Sequence, residues 1–334
     1  MKAAFIEGLG KGFVVRLTER PDPKQGQVLV HVLAAGLNHL EDWIRKGAFP
    51  ELPYPIIAGS DGAGIIVECG AGVDVKLLHE DVIINPALSW GLQEMQDNQF
   101  NIFGLGSQGS FAEYVAVPSE NVRKKPQHLS FEQAAALPMA GLTAYRALFR
   151  RGKLKKHQKV FITGIGGGVA MLALQFAIAA GCSVYVSSSS DEKLLKAKTI
   201  GAAGGVNYHN EHWIQDLLAM AGKFDVILDS AGGATLCAMV DLARVGGTIV
   251  SIGMTTGGTT QLDIQKLFSK QLTIVGSMMG SPRDFDDMLA FVENHEVFPV
   301  IDDVVELDQI NRLFEKNYRG EKFGKSIVRF SQKN

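Results

Sequence analysis

The chain has 334 residues, of which 46% are hydrophobic and 20% charged, and its formal net charge is −2. That is length enough for two domains and a large core, in the composition range of soluble globular proteins. The near-zero charge argues against a nucleic-acid-binding surface, and the apolar-rich run 171–180 is too short to cross a bilayer, so neither nucleic acid nor membrane is an expected partner.

Residues 1–6 are too short for the apolar region of a secretion signal, and Glu7 follows at once. The three cysteines, Cys69, Cys182 and Cys237, include no C-x-x-C pair. They support neither a disulfide framework nor a cysteine-rich zinc site, and they fit a reducing, cytoplasmic location.

Residues 1–125 read as mostly β. Short β-forming runs at 13–17, 27–34, 64–69, 81–85 and 113–117 are punctuated by Pro21, Pro23, Gly26, Gly70, Gly72 and Gly109, the pattern of a partly closed barrel. A short helix interrupts them at 38–46. The stretch 85–108 is rich in Asn, Gln, Gly and Ser and reads as an irregular surface lobe. Ser130 is placed to cap a helix over 131–150, and Pro138 should divide it into two helices that meet near 138–141.

From 159 onward, strands alternate with helices. Residues 160–163 form an apolar β-run, Gly164-Ile165-Gly166-Gly167-Gly168-Val169-Ala170 a glycine-rich turn, 171–180 a buried helix stopped by Gly181, and 183–187 a second strand. Further strands at 205–208, 224–229, 247–252 and 272–277 complete the pattern of a doubly wound parallel sheet. A helix opened by Pro282, a strand near Val304, a helix at 308–317 and a last strand at 326–330 share the texture of the first domain and should pack back onto it. The expected division is therefore 1–125 with 281–334 as one domain, and 126–280 as the other.

The strand–turn–helix–strand unit at 159–191 is the context a dinucleotide fingerprint requires. Glycines let the backbone approach a pyrophosphate, and the helix N-terminus offers free N–H groups. Gly167 and Ala170 fit the last two positions of G-x-G-x-x-G, while Ile165 stands where the first glycine belongs and Gly164 could take over the tight turn. A tight packing turn would look similar. The acidic residue that binds the ribose 2′-OH of NAD is missing; Ser188, Ser189 and Lys193 stand there instead, with Tyr208 at the end of the next strand. Hydroxyls and a cation suit a 2′-phosphate, so NADP(H) is the expected cofactor. Those serines could equally form an ordinary loop, with Lys193 on a solvated face. Ser230, Ile252 and Gly253 end or follow later strands on the ligand-binding edge. Ser277 and Met278 end the last strand and could line the nicotinamide side, or Met278 could only pack.

The segments Ala34-Ala35-Gly36-Leu37-Asn38, Gly59-Ser60-Asp61-Gly62-Ala63-Gly64, Leu137-Pro138-Met139-Ala140-Gly141-Leu142-Thr143-Ala144-Tyr145, the turn at 164–170 and Leu228-Asp229-Ser230-Ala231-Gly232-Gly233 together resemble the medium-chain dehydrogenase/reductase superfamily. Within it, the chain resembles the quinone oxidoreductase-like and zinc-type alcohol dehydrogenase-like members. The resemblance implies an α/β chain with a GroES-like β-barrel catalytic domain and a Rossmann domain. Zinc-dependent members place Cys, His and Cys where this chain has Asn38, Ser60 and Met139, none a good zinc ligand. His39 and Asp61 stand nearby, but a lone histidine beside a helix start is more often structural or solvated. The lobe at 85–108 has no cysteine, so the four-cysteine structural zinc of some relatives has no ligands here either. No metal is expected.

Without a Lewis acid, a substrate that accepts hydride readily is implied: a quinone or an α,β-unsaturated carbonyl, reduced by NADPH. By the resemblance, Asn38 would sit beside the nicotinamide and donate to the developing oxyanion, and Thr143 would contact the nicotinamide or its ribose. Tyr54 could border the substrate and relay a proton, although loop packing explains it as well, and Asn38 could also cap the helix that follows it. A zinc-free quinone or enone reductase stands first. An alcohol dehydrogenase with another metal arrangement and a non-catalytic NADPH-binding protein remain as alternatives. No Ser-His-Asp or Cys-His arrangement supports covalent catalysis. The last sheet strand is an apolar edge that in the family pairs with its twin, so a homodimer is expected.

Overall fold

The computed structural model describes residues 1–49, 51–91, 93–106 and 108–331, and the chain divides into two compact units. One comprises Met1–Ala140 with Gly280–Asn334, the other Gly141–Met279. Residues 126–140, expected with the nucleotide domain, go with the first unit. The physical reason lies in their contacts: the helix that Ser130 caps packs on the first unit's strands.

The first unit contains β1 (Lys2–Ile6), β2 (Phe13–Leu17), β3 (Gln27–Gly36), β4 (Ile56–Ile57), β5 (Asp61–Cys69), β6 (Asp81–Ile84), β7 (Ala87–Leu88), β8 (Asn101–Ile102), β9 (Tyr114–Pro118) and β10 (Val122–Lys124), with β17 (Ile301–Glu306) and β18 (Lys325–Arg329) added from the far end of the chain. Strand β3 is the hub. Its sequence, QVLVHVLAAG, is almost continuously apolar and buried, and it pairs with β5, β9 and β18. The main sheet runs β10-β6-β5-β3-β18-β17, and a second sheet runs β2-β1-β4. They share a core that includes Phe13, Val30, Ile66, Ile84, Phe111, Val115 and Val328. The tail does return to this unit: β18 lies antiparallel to β3 through Ile327↔Gly36 and Val328↔Ala35.

The helices follow their caps. α1 (His39–Arg45) starts after Asn38, and α2 (Phe131–Ala135) after Ser130, whose Oγ accepts the Gln133 N–H at 3.2 Å. α3 (Pro138–Tyr145) begins at its proline, where the missing N–H removes no helical bond, so Pro138 starts a helix rather than kinking one. A π-helical turn, Arg146–Arg151, continues it. α9 (Pro282–Asn294) and α10 (Ile310–Tyr318) lie in the C-terminal part. The lobe at 85–108 is more than a surface feature: β7 pairs with β8, and Trp90 and Phe103 are buried. Leu92 and Ser107 of that stretch lie outside the described residues.

The second unit is the doubly wound sheet. β11 (Lys159–Ile162), β12 (Ser183–Ser188), β13 (Gly204–Asn207), β14 (Phe224–Asp229), β15 (Ala243–Ser251) and β16 (Thr273–Gly276) are all parallel, in the order β13-β12-β11-β14-β15-β16. The crossovers use α4 (Gly168–Ala179), α5 (Asp191–Ile200), α6 (Trp213–Ala221), α7 (Gly233–Leu242) and α8 (Ile264–Ser269). The order reverses between β11 and β14, and ligands of such sheets bind beyond the carboxyl ends of the strands at that point. Among the described residues, no helix is long and apolar enough to cross a membrane.

Candidate functional site

In the first unit, the segments carrying Asn38, Ser60 and Met139 meet around a buried lysine. Lys325, on β18, is 3% exposed. Its Nζ donates three hydrogen bonds of 2.7 Å each, to the Leu37 carbonyl, to Asn38 Oδ1 and to Asp61 Oδ2. Asp61 is fully buried, and its other oxygen accepts the Met139 backbone N–H at 2.7 Å. The ion pair is thus tied to all three segments, and the three N–H bonds of the ammonium are used up.

Asn38 is the N-cap residue of α1 and forms a capping box with Glu41. Its backbone N–H donates to Glu41 Oε2 at 2.6 Å. Glu41 is fully buried, and burial pushes its carboxyl up to about 8, against the backbone hydrogen bond from Asn38 and the nearby Lys325, which pull it down. Asn38 Nδ2, Glu41 Oε1 and Ser60 Oγ are buried atoms without a partner among the described residues. Such orphans call for a bound molecule or water to satisfy them.

This donor set does not fit zinc. Asn38 Oδ1 is taken by an ammonium, Ser60 offers a hydroxyl and Met139 a thioether, and Asp61 already neutralises Lys325. His39 is exposed and lies edge-on to Trp43 at 5.8 Å. Among the described residues, no three His, Cys, Asp or Glu side chains are grouped to hold a metal.

Tyr54 is half-buried, and its hydroxyl donates to the Ile44 carbonyl at 3.0 Å, which occupies the proton that a relay would pass on. It anchors the 46–56 loop to α1. That loop and the 85–108 lobe together line a hollow of about 430 Å³, with Phe49, Leu52, Pro53 and Leu105 in its wall.

In the second unit, the fingerprint turn has the geometry a pyrophosphate needs. Gly164 and Gly166 have φ of +70° and +114°, conformations that side-chain-bearing residues rarely adopt. Gly167 is different. Its backbone is extended, and an added Cβ would meet only the Gly164 carbonyl, at 3.7 Å. Neither conformation nor packing demands glycine there, and the space beside it is open to close approach by a ligand. The first intrahelical bond of α4 runs from the Met171 N–H to the Gly167 carbonyl at 2.9 Å, so the N–H groups of Gly168, Val169 and Ala170 precede it. These residues fit a dinucleotide cofactor.

Ser230, Ile252, Gly253, Ser277 and Met278 all lie at the carboxyl ends of parallel strands, as the turn does. Ser277 Oγ is a further buried orphan, and Met278 is exposed. At the switch point Asp229 belongs to the segment read from the sequence, whereas Thr163 was not singled out. Thr163 Oγ1 accepts the Ser230 N–H at 2.9 Å, and buried Asp229 accepts the Gly232 and Ala231 N–H groups at 2.9 and 3.2 Å. Burial raises the Asp229 pKa. A strand ending in a polar residue beside a glycine pair was the available signal.

The serines past β12 divide their labour. Ser188 is buried, and its Oγ accepts the Ser190 N–H at 3.2 Å; Ser190 caps α5 through the Lys193 N–H at 3.4 Å. Ser189 and Tyr208 are exposed, and Lys193 is half-buried in the first turn of α5. Asp191, beside them, accepts from Asn207 Nδ2 at 3.0 Å. Thr143 lies on α3 in the second unit, nearly buried.

Comparison with known proteins places this architecture. Residues 24–127 match the sequence family described as alcohol dehydrogenase GroES-like domain, and residues 168–294 the one described as zinc-binding dehydrogenase. A zinc-type alcohol dehydrogenase-like protein of Leptosphaeria maculans is 35% identical over 335 residues, covering 94% of this chain and 93% of its own. An acryloyl-coenzyme A reductase of Metallosphaera sedula is 27% identical, over 98% of this chain and 99% of its own. The crystal structure of an NAD-dependent alcohol dehydrogenase superposes with a TM-score of 0.92 at 31% identity, covering 99% of this chain and 100% of that one. Matched from end to end in sequence and in fold, the chain belongs to the medium-chain dehydrogenase/reductase superfamily and is an oxidoreductase of that type.

Proposed function

We propose that the protein is a metal-independent, NADPH-dependent reductase of quinones or α,β-unsaturated carbonyls. The observation that carries this reading is the buried Lys325 ammonium bonded to Asn38 and Asp61, a constellation that repels a metal cation and leaves an amide N–H unpartnered. Bound NADPH would supply a hydride. The turn at 164–170 would hold its pyrophosphate, and Ser188, Ser189, Lys193 and Tyr208 its adenosine end. Ser230, Ile252, Gly253, Ser277, Met278 and Thr143 would surround the nicotinamide and its ribose.

The reaction balances as substrate plus NADPH plus H⁺ giving the two-electron-reduced product plus NADP⁺. As hydride reaches the conjugated carbon, the π electrons shift onto the carbonyl oxygen. Asn38 Nδ2–H donates to that oxygen as its charge grows, and a proton from solvent completes the product. Phe49, Leu52, Pro53 and Leu105, which line the hollow with Glu51 and Asn101, would suit a largely apolar substrate body. The relative named an acryloyl-coenzyme A reductase supports the conjugated-carbonyl half of this reading. A second reading, alcohol–carbonyl oxidoreduction, rests on the relative named zinc-type alcohol dehydrogenase-like and on the solved structure named an NAD-dependent alcohol dehydrogenase.

The test is titration of metal-analysed protein with NADPH and NADH by nicotinamide fluorescence, then turnover on quinones, enones and simple alcohols. NADPH binding at least tenfold tighter, with quinone or enone reduction and no bound zinc, is expected. Stoichiometric zinc with alcohol oxidation would establish the second reading. Cofactor binding without any turnover would indicate a non-catalytic role.

We also propose a homodimer joined through β16, the outer strand of the six-stranded sheet, whose Ile274 and Val275 are half-buried. Light scattering should give the mass of two chains; a monomer at micromolar concentration would refute it. The three cysteines are all free thiols, in keeping with the reducing cytosol where we place the protein.

A further inference from the structure

We propose that Lys325 is a positioning residue that locks the Asn38 carboxamide in one orientation and presets its Nδ2–H as the donor to the substrate oxygen. The proposal rests on the reading of Asn38 as that donor. An ammonium can only donate, so the group facing it at 2.7 Å must be the amide oxygen. A flipped amide would set its N–H bonds against those of Lys325. Neither partner can drift. Lys325 is held by the Leu37 carbonyl and by Asp61, and the Asn38 backbone N–H is held by Glu41.

The consequence falls on the other end of the amide. Asn38 Nδ2 is buried and has no partner among the described residues, as has Ser60 Oγ beside Asp61. An amide whose oxygen is bonded to a cation is polarised, and its N–H becomes a stronger donor. Lys325 therefore acts through Asn38, delivering positive character to the oxyanion position without touching substrate and without transferring a proton. In this chain a fixed ammonium and an amide together supply the electrostatic stabilisation that a Lewis acid would otherwise supply.

Lys325→Met alone would leave Asp61 buried and unpaired, which destabilises the fold and obscures any effect on Asn38. The informative variant is therefore the double Lys325→Met/Asp61→Asn, which removes both charges and keeps an acceptor for the Met139 N–H. Lys325→Arg is its conservative partner. The first readout is the Asn38 side-chain amide pair in ¹H–¹⁵N spectra of the cofactor-free protein, assigned by its loss in Asn38→Ala. Two distinct, slowly exchanging protons are expected in the wild type and in Lys325→Arg, with at least tenfold faster hydrogen exchange in the double variant.

The second readout is turnover of 1,4-benzoquinone and 2-cyclohexen-1-one. The double variant should lose at least tenfold in kcat, with the NADPH KM within twofold, and Lys325→Arg should recover most of that loss. Unchanged amide signals, or an unchanged kcat in the folded double variant, overturn the proposal. A wild type that reduces neither compound sinks the quinone and enone reading, while the amide signals still decide whether Lys325 sets the orientation of Asn38.

Discussion

Replacing Glu41 by Gln should remove a pH-dependent weakness from the first unit. Glu41 is fully buried at the N-terminus of α1, with its carboxyl at about 8 in the fold against 4.5 when solvated. Between those values the native state holds a proton that the unfolded chain releases. Stability from this group is therefore complete below about pH 4.5 and is lost as pH rises through 8. At about 1.4 kcal/mol per unit, the wild type should lose roughly 2.5 kcal/mol relative to Glu41→Gln between pH 5 and pH 7. The amide keeps the Oε acceptor for the Asn38 N–H, and the comparison cancels titrations elsewhere. Urea unfolding would be followed by tryptophan fluorescence in a Trp213→Phe background, so that Trp43 and Trp90 report the first unit. A stability difference that stays flat from pH 5 to pH 8 would refute the burial argument.

The fingerprint turn and the metal question give two further expectations. Gly166→Ala forces a side chain into φ of +114°, a strain of at least about 1–2 kcal/mol. NADPH affinity should fall at least tenfold by fluorescence titration, with the far-ultraviolet circular dichroism unchanged; an unaltered Kd would mean that the turn does not carry the pyrophosphate. Prolonged dialysis against EDTA should leave quinone or enone turnover within twofold, and a loss restored by added zinc would show that a metal had been overlooked.

Local chemistry was readable in the sequence wherever periodicity and turn residues act over short range. The parallel sheet follows from alternating apolar runs and helices, and the start of α9 at Pro282 and of α2 after Ser130 follows from capping chemistry. The glycine turn was legible too, although the positive φ at Gly164 and Gly166 and the open space at Gly167 need coordinates. The Lys325–Asp61 pair was not legible, because its members stand 264 residues apart and no periodicity links them. β1 was missed because KAAFI lacks alternation, even though Gly8 and Gly10 mark the turn after it. The unit boundary at Ala140 was missed for a related reason: an α-helical pattern does not reveal which sheet the helix covers. Asn38 was legible as an N-cap residue, but not that its carboxamide oxygen accepts from a lysine.

The addition of β18 to β3 sets an order on biosynthesis. The ribosome makes β3 early, yet the strand that flanks it, with the lysine it brings to Asp61 and Asn38, emerges only after the whole second unit. The second unit is contiguous in the chain, so it can fold while synthesis continues; the first must wait with the Ala34–Gly36 end of its central strand lacking the β18 partner, although β9 and β5 already pair with the rest. During that interval Asp61 lacks the counter-charge that Lys325 brings to it.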